Sequence, residues 1–208
     1  MKYNTPEVAA LQPDYLGFIF WKPSKRFFDE EIPQLPEDIK KVGVFVDASI
    51  DDVLEKIAAY DLWGVQLHGN ESPEFIRDLL RAIIDSGKNF VEIIKVFSIK
   101  NDFDFSILRE YKDLCSYYLF DTKGKLPGGN GFTFNWGVLK EYPSTKPYFL
   151  SGGIGLEEID SIKEFMQRPE SKYCHAIDVN SRFEIEPGLK NIDELKEFKN
   201  KINFSSSP

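Results

Sequence analysis

Several apolar runs in this 208-residue chain end on residues that can do chemistry. Tyr117–Phe120 runs into Asp121, a carboxyl that at a strand end could give or take a proton; an N-cap or loop anchor is the plainer role for such a residue. Phe149-Leu150 leads into Ser151-Gly152-Gly153-Ile154-Gly155. Glycines there free backbone N–H groups for an anion just ahead of a helical segment, though tight turning alone also asks for them. Ile177-Asp178-Val179-Asn180-Ser181 is a second polar strand end, and Gly128-Gly129-Asn130-Gly131 a third Gly-rich loop, weak by itself. Lys22-Pro23-Ser24-Lys25-Arg26 is the basic cluster at a strand end. Arg can fork a carboxylate, and a solvated basic loop is the alternative. Val65-Gln66-Leu67-His68-Gly69 carries one of two histidines, and a lone His is more often structural than catalytic. Lys95 sits inside an apolar run, either snorkelling or aimed at the catalytic end. No His/Cys/Asp cluster has metal-ligand spacing, so no metal is expected.

The elements that must hold these residues alternate regularly. Tyr15–Phe20, Val42–Val46, Gly64–Leu67, Val91–Phe97, Tyr117–Phe120, Tyr148–Leu150 and Ala176–Val179 are short and near-continuously apolar, the pattern of parallel strands covered on both faces. Helical stretches separate them. Ser49 and Ser72-Pro73 are N-terminal caps, Phe75, Ile76, Leu79, Leu80 and Ile83 trace an apolar stripe, and Leu156, Ile159, Ile162 and Met166 another. Asn191 can cap a last helix. Repeated strand–helix units leave a doubly wound sheet or a (β/α)8 barrel open; one helix at Thr5–Leu11 and then seven strands, each followed by a helix, look like a barrel whose first strand is missing. A single domain over residues 1–204 and a short tail at 205–208 are expected.

Composition narrows the function classes. With 26 Lys+Arg against 34 Asp+Glu the net charge is −8, which disfavours nucleic acid and anionic membranes as partners. Two cysteines exclude a disulfide scaffold. Pro6, Glu7 and Asn4 deny residues 1–11 the apolar core of a signal peptide. The longest apolar run, Leu16–Trp21, falls far short of the roughly 20 residues that span a bilayer. A cytoplasmic protein acting on a small molecule, as a monomer or homodimer, is the expectation.

Taken in order, Lys40-Lys41-Val42-Gly43-Val44-Phe45-Val46, Val65-Gln66-Leu67-His68-Gly69, Leu119-Phe120-Asp121, Gly129-Asn130-Gly131-Phe132-Thr133-Phe134, Leu150-Ser151-Gly152-Gly153 and Pro187-Gly188 resemble the phosphoribosylanthranilate isomerases of tryptophan biosynthesis, from Thr5 to about Ile202. The resemblance implies a (β/α)8 barrel that carries out an Amadori rearrangement of N-(5'-phosphoribosyl)anthranilate, an aminoaldose, to an aminoketose, with no cofactor or metal. It implies Asp121 as general acid, Arg26 on the anthranilate carboxylate with Asp178 close by, His68 lining the site, and Gly129, Gly153, Asn180 and Ser181 around the phosphate.

Three departures stand out. Asn135 replaces a frequent Asp. Asn180-Ser181-Arg182 replaces Ser-Ser-Gly, and a side chain at Arg182 restricts the backbone where Gly would not. The family's general base is a Cys closing the first strand, in a string whose Met aligns with Met1, so the resemblance implies that this strand and its thiol are absent. Cys115 and Cys174 precede Asp121 and Asp178 by several residues and are expected to be inert core or bottom-loop thiols. Two other readings stay open. One is a catalytically silent phosphosugar-binding barrel. The other is a different phosphate-binding barrel enzyme such as an indole-glycerol-phosphate synthase, with Lys95 its candidate lysine.

Overall fold

A computed structural model of the chain describes residues 1–88, 90–100, 102–122 and 135–202. Seven parallel strands form one sheet in sequence order: β1 (Tyr15–Ile19), β2 (Lys40–Phe45), β3 (Gly64–Leu67), β4 (Glu92–Ile99), β5 (Tyr117–Thr122), β6 (Tyr148–Leu150) and β7 (Cys174–Ile177). The sheet curls as a barrel does, and β1 and β7 flank an open seam: among the described residues no strand pairs their outer edges. Met1 lies at this seam, its backbone nitrogen donating to Gly17 O.

Helices α1 (Thr5–Ala9), α2 (Ile50–Tyr60), α3 (Pro73–Asp85), α4 (Leu108–Tyr111), α5 (Ile159–Met166) and α6 (Ile192–Ile202) cover the sheet. The caps form as the sequence requires. Ser49 Oγ accepts from Asp52 N at 3.1 Å, Ser72 Oγ from Phe75 N at 3.2 Å and Asn191 Oδ1 from Glu194 N at 3.3 Å. Ile76, Leu79 and Ile83 of α3 are buried, each stabilising by ~1.5–3 kcal/mol over exposure.

The expectation of a helix after every strand fails between β1 and β2, and among the described residues two further connections carry only short helical turns. Residues 21–39, between β1 and β2, contain no helix, because Pro23, Pro33 and Pro36 interrupt any helical ladder. Phe28 plugs the space instead, buried against Phe18 and Phe20 with ring centroids 4.9 and 6.2 Å away. Between β4 and β5 stand a 3-10 turn, Phe105–Ile107, and the single turn of α4. Ahead of β6 lies a 3-10 helix, Trp136–Glu141. Its cap is Asn135, whose Oδ1 accepts from Gly137 N at 3.0 Å, work that Asn does as well as Asp. The expected boundary at residue 204, the tail 205–208 and Gly129 lie outside the described residues.

Strand alternation sorts the side chains into two layers. Val42, Ile94, Val96, Leu119 and Phe149 form the inner cluster, with Tyr15, Trp63, Tyr117 and Ala176 packed against it. Residues of the opposite parity, such as Val65, Leu67, Ile93, Phe97, Tyr118, Phe120 and Leu150, belong to the larger cluster under the helices. Lys40 closes the bottom over Tyr15 and Trp63, 5.1 and 4.8 Å from their rings.

A short antiparallel hairpin, β8 (Glu184–Glu186) with β9 (Leu189–Lys190), precedes α6. Its Pro187-Gly188 turn takes Gly188 to φ 93°, a left-handed value that suits Gly. The N-terminal segment fastens it. Tyr3 N donates to Gly188 O at 3.1 Å, and the Asn4 amide bonds both Lys190 O (2.9 Å) and Lys190 N (3.0 Å).

Candidate active site

The same parity rule locates the polar strand ends. Asp121 follows Leu119 by two residues, Ser151 follows Phe149, and Asp178 follows Ala176, so all three continue the inner layer upward. Gln66 and His68 do likewise on β3, in step with Gly64. They line one cavity of about 220 Å³ together with Arg26, Gly153, Asn180 and Ser181. Every expected site residue that is described therefore faces the same space.

Asp121 is buried. Its Oδ1 accepts from Thr122 N at 2.8 Å, and its Oδ2 lies 3.2 Å from His68 Nε2. Since a carboxylate oxygen accepts, His68 presents Nε2–H, and its Nδ1 is free to accept from Gln66 Nε2 at 3.1 Å. Gln66 thus orients His68, and His68 orients Asp121. Asp178 Oδ2 accepts from Ser151 Oγ at 2.8 Å. Burial pushes the Asp178 carboxyl above its ordinary range, against the Ser151 hydrogen bond and with help from the Asp121 charge.

The Ser151–Gly155 turn is held close to β5. Gly152 and Gly153 take φ 93° and 70°. A Cβ on Gly152 would stand 2.4 Å from Thr122 N and 2.7 Å from Asp121 Oδ1, so no side chain fits there. The expected helix start follows through a 3-10 turn, Leu156–Glu158, before α5. Gly155 N donates to Glu158 Oε2 at 2.7 Å, which commits that amide. Arg182 sits in another 3-10 turn, Ser181–Phe183, at negative φ, so the backbone freedom of Gly is not needed there. Its guanidinium pairs with Glu157.

Arg26 does not stand alone at the cavity. Glu184 binds its Nε (2.8 and 2.9 Å) and Nη2 (2.6 Å). Glu184 also accepts from Lys190 Nζ at 3.0 Å and Gly188 N at 3.1 Å. Both Glu184 and Lys190 line the cavity, and the sequence reading missed both. The signal was present in Glu184-Ile-Glu-Pro-Gly-Leu-Lys190: a Pro-Gly turn makes the two ends cross-strand partners. Burial alone would raise the Glu184 pKa, but Arg26 and Lys190 outweigh it and hold the carboxyl below its usual range. Burial pushes Lys190 down, with Glu184 opposing. The Met1 amino group nearby is pushed down to about 5, by burial first and then by Lys190.

Lys95 takes neither of the expected orientations. It shares strand parity with Ile93 and Phe97, so it faces the helix layer and not the cavity. There it is buried, donating to Gly69 O (2.8 Å), Glu71 Oε2 (3.0 Å) and Leu67 O (3.3 Å). Lys95 is thus not placed to be the lysine that an indole-glycerol-phosphate synthase would need. Cys115 is buried and Cys174 half-buried. Cys174 opens β7 at the end away from the cavity. Burial pushes both thiols up to about 12, Cys115 against the charges of Lys146 and Lys95.

Comparison with known proteins agrees with this geometry. The sequence model of the N-(5'phosphoribosyl)anthranilate (PRA) isomerase family matches residues 4–201. The chain belongs to the PRA isomerase family. A PRA isomerase from Parabacteroides distasonis is 44% identical over 201 residues, covering 94% of this chain and 86% of its own. A solved PRA isomerase from Thermotoga maritima superposes with a TM-score of 0.74 at 27% identity, covering 97% and 95% of the two chains. A PRA isomerase solved in complex with reduced 1-(o-carboxyphenylamino)-1-deoxyribulose 5-phosphate superposes at 0.68 with 25% identity, covering 97% and 94%. These are aldose–ketose isomerases of tryptophan biosynthesis on a (β/α)8 barrel, and among the described residues this chain forms seven parallel strands of such a barrel in one curled sheet. Among the described residues no helix is long and apolar enough to cross a membrane.

Proposed function

We propose that the cavity binds N-(5'-phosphoribosyl)anthranilate and converts it to 1-(2-carboxyphenylamino)-1-deoxyribulose 5-phosphate with Asp121 as general acid. Asp121 protonates the ribose ring oxygen while the anthranilate nitrogen pushes its lone pair into C1', and the ring opens to a Schiff base. A base then takes the C2' proton to give an enolamine, which tautomerises to the ketone. His68 Nε2–H faces the carboxylate that Asp121 becomes. Arg26 takes the anthranilate carboxylate, Asp178 stands beside the reacting centre, and Gly153, Asn180 and Ser181 take the phosphate. We read residues 1–204 as one domain acting in the cytoplasm on a small molecule, as a monomer or homodimer.

The observation that carries this reading is that the Asp121 carboxyl, the Arg26 guanidinium and the Gly152-Gly153 turn open into one cavity. Asp121→Asn tests it. kcat should fall by about 10²–10⁴, the usual contribution of a general acid, while affinity for the reduced product analogue stays within about tenfold. Near-normal kcat in that variant removes Asp121 from the chemistry. A binding-only role is the second reading, favoured by the placement and raised pKa of Cys115 and Cys174, neither of which can serve as the base. In the family reading the base belongs to a strand in the β1–β7 seam. Turnover measured beside analogue binding on the same preparation separates the two.

A further inference from the structure

A guanidinium has two edges that fit a carboxylate. The side-on edge pairs Nε–H with one Nη2–H, and the end-on edge pairs Nη1–H with the other Nη2–H. Glu184 occupies the side-on edge of Arg26 through Nε and Nη2. Among the described residues, the end-on edge meets no partner. Glu184 is in turn held by Lys190 Nζ and by Gly188 N, and Lys190 donates as well to Asn180 O at 3.0 Å and to Asn180 Oδ1. Arg26, Lys190 and Glu184 together are one negative charge short of balance, and burial opposes the ionisation of the Asp178 carboxyl that stands near Lys190. A buried cluster out of balance is costly until a counter-ion arrives.

We propose that Glu184 is a positioning residue for recognition of the substrate's aromatic carboxylate: with Lys190 as its counter-ion it locks the side-on edge of Arg26, so that the end-on edge is preset as a fork for that carboxylate. The inference rests on Arg26 as the carboxylate site. Glu184 does not compete with the ligand, because the two carboxylates use different edges. Lys190 keeps the added charge of Glu184 from cancelling the attraction, and its bonds to Asn180 tie the fork to the loop assigned to the phosphate. The spacing between the two anionic ends of a ligand is therefore fixed by one continuous chain of contacts.

The test uses two probes in isothermal titration: reduced 1-(o-carboxyphenylamino)-1-deoxyribulose 5-phosphate and the same compound without its carboxylate. The paired variant E184Q/K190M removes one negative and one positive charge, keeping the cluster's net charge and nearly its volume. It should weaken binding of the carboxylated probe about tenfold or more, and shift the probe without the carboxylate by less than about threefold. Glu184→Asp keeps the charge but draws it back by one methylene, and it should weaken the carboxylated probe alone to a smaller degree. Equal weakening of both probes, or no weakening of the carboxylated one, overturns the proposal; if the paired variant does not fold, Glu184→Asp decides by the same criterion. Arg26→Ala is the control. If it binds both probes as the unaltered protein does, the assignment of Arg26 itself fails. If it loses discrimination while the Glu184 variants keep it, only the positioning role fails.

Discussion

Lys95 with Glu71, and Arg26 with Glu184 and Lys190, are both ionic clusters set into the barrel wall, yet they are finished differently. The Lys95 ammonium has three hydrogens and meets three acceptors. The Glu71 carboxylate takes Asp47 N at 3.0 Å and Gly69 N at 3.0 and 3.1 Å besides Lys95. Charge and hydrogen bonding both close, and neither residue lines the cavity. The Arg26 cluster borders the cavity, has an edge to spare and carries an uncompensated positive charge. Burial and pairing do not tell a structural cluster from a binding one; charge balance and access do.

Breaking the closed cluster should have the largest effect. Lys95→Met leaves the buried Glu71 charge without its counter-ion, and about 3–5 kcal/mol of stability should go. For a chain of this size that is a fall in Tm of roughly 6–20 °C, read by calorimetry. The molecules still folded at low temperature should discriminate the two probes as before. A loss of discrimination with no loss of Tm would reverse the distinction.

Breaking the open cluster should cost less stability and more affinity. Arg26→Ala removes a charge-assisted fork worth ~2–4 kcal/mol, or about 30- to 1,000-fold in Kd for the carboxylated analogue. Titration checks it, and unchanged affinity would reduce Arg26 to a structural partner of Glu184. The phosphate of the same analogue should sit against Gly153, Asn180 and Ser181 in a ligand-bound structure.

The smallest effect is one of pH and sharpens the contrast inside the cavity. Asp178 has a raised folded-state pKa, so the folded protein holds this proton to higher pH than the unfolded chain does. That contribution to stability is complete below the unfolded value near ~3.9 and is lost as pH rises through the folded value. Asp178→Asn should flatten unfolding free energy against pH above about 4. Glu184 has the opposite sign: its stabilisation is present above the unfolded value near ~4.3 and is lost as pH falls through the lowered folded value. Glu184→Gln should flatten the acid side of the curve. Parallel curves for both variants and the unaltered chain would remove these groups from the pH response.

Which parts of this were legible in the sequence follows from how local each signal is. The strands and the Ser49, Ser72 and Asn191 caps are written in contiguous residues; the caps formed as read and the strands formed where read, with ends shifted by up to two residues. Asp121, His68, Asp178 and Gly153 were legible because each ends an apolar run. Alternation from Leu119 would also have shown that Asp121 points inward, and the same parity applied to Lys95 would have turned it away from the cavity. The helix expected between β1 and β2 was read from the βα rhythm, against three prolines that argued otherwise. Glu184 and Lys190 escaped because β8 and β9 are too short to show a period. Glu71 escaped because its partners, Lys95 and Asp47, are 24 residues away in either direction along the chain.

Asn4 imitates a strand by bonding both backbone groups of Lys190, so the first residues and the last hairpin hold each other across the seam. Sheet edges are where native proteins open transiently. A local opening that releases residues 3 and 4 would let the hairpin swing and carry Glu184 and Lys190 from Arg26 while β2 to β6 stay intact. Amide hydrogens of the hairpin should then exchange with solvent ahead of those in the central strands. Under mild denaturant, the chain would first lose its discrimination between ligands with and without the aromatic carboxylate and only later its shape.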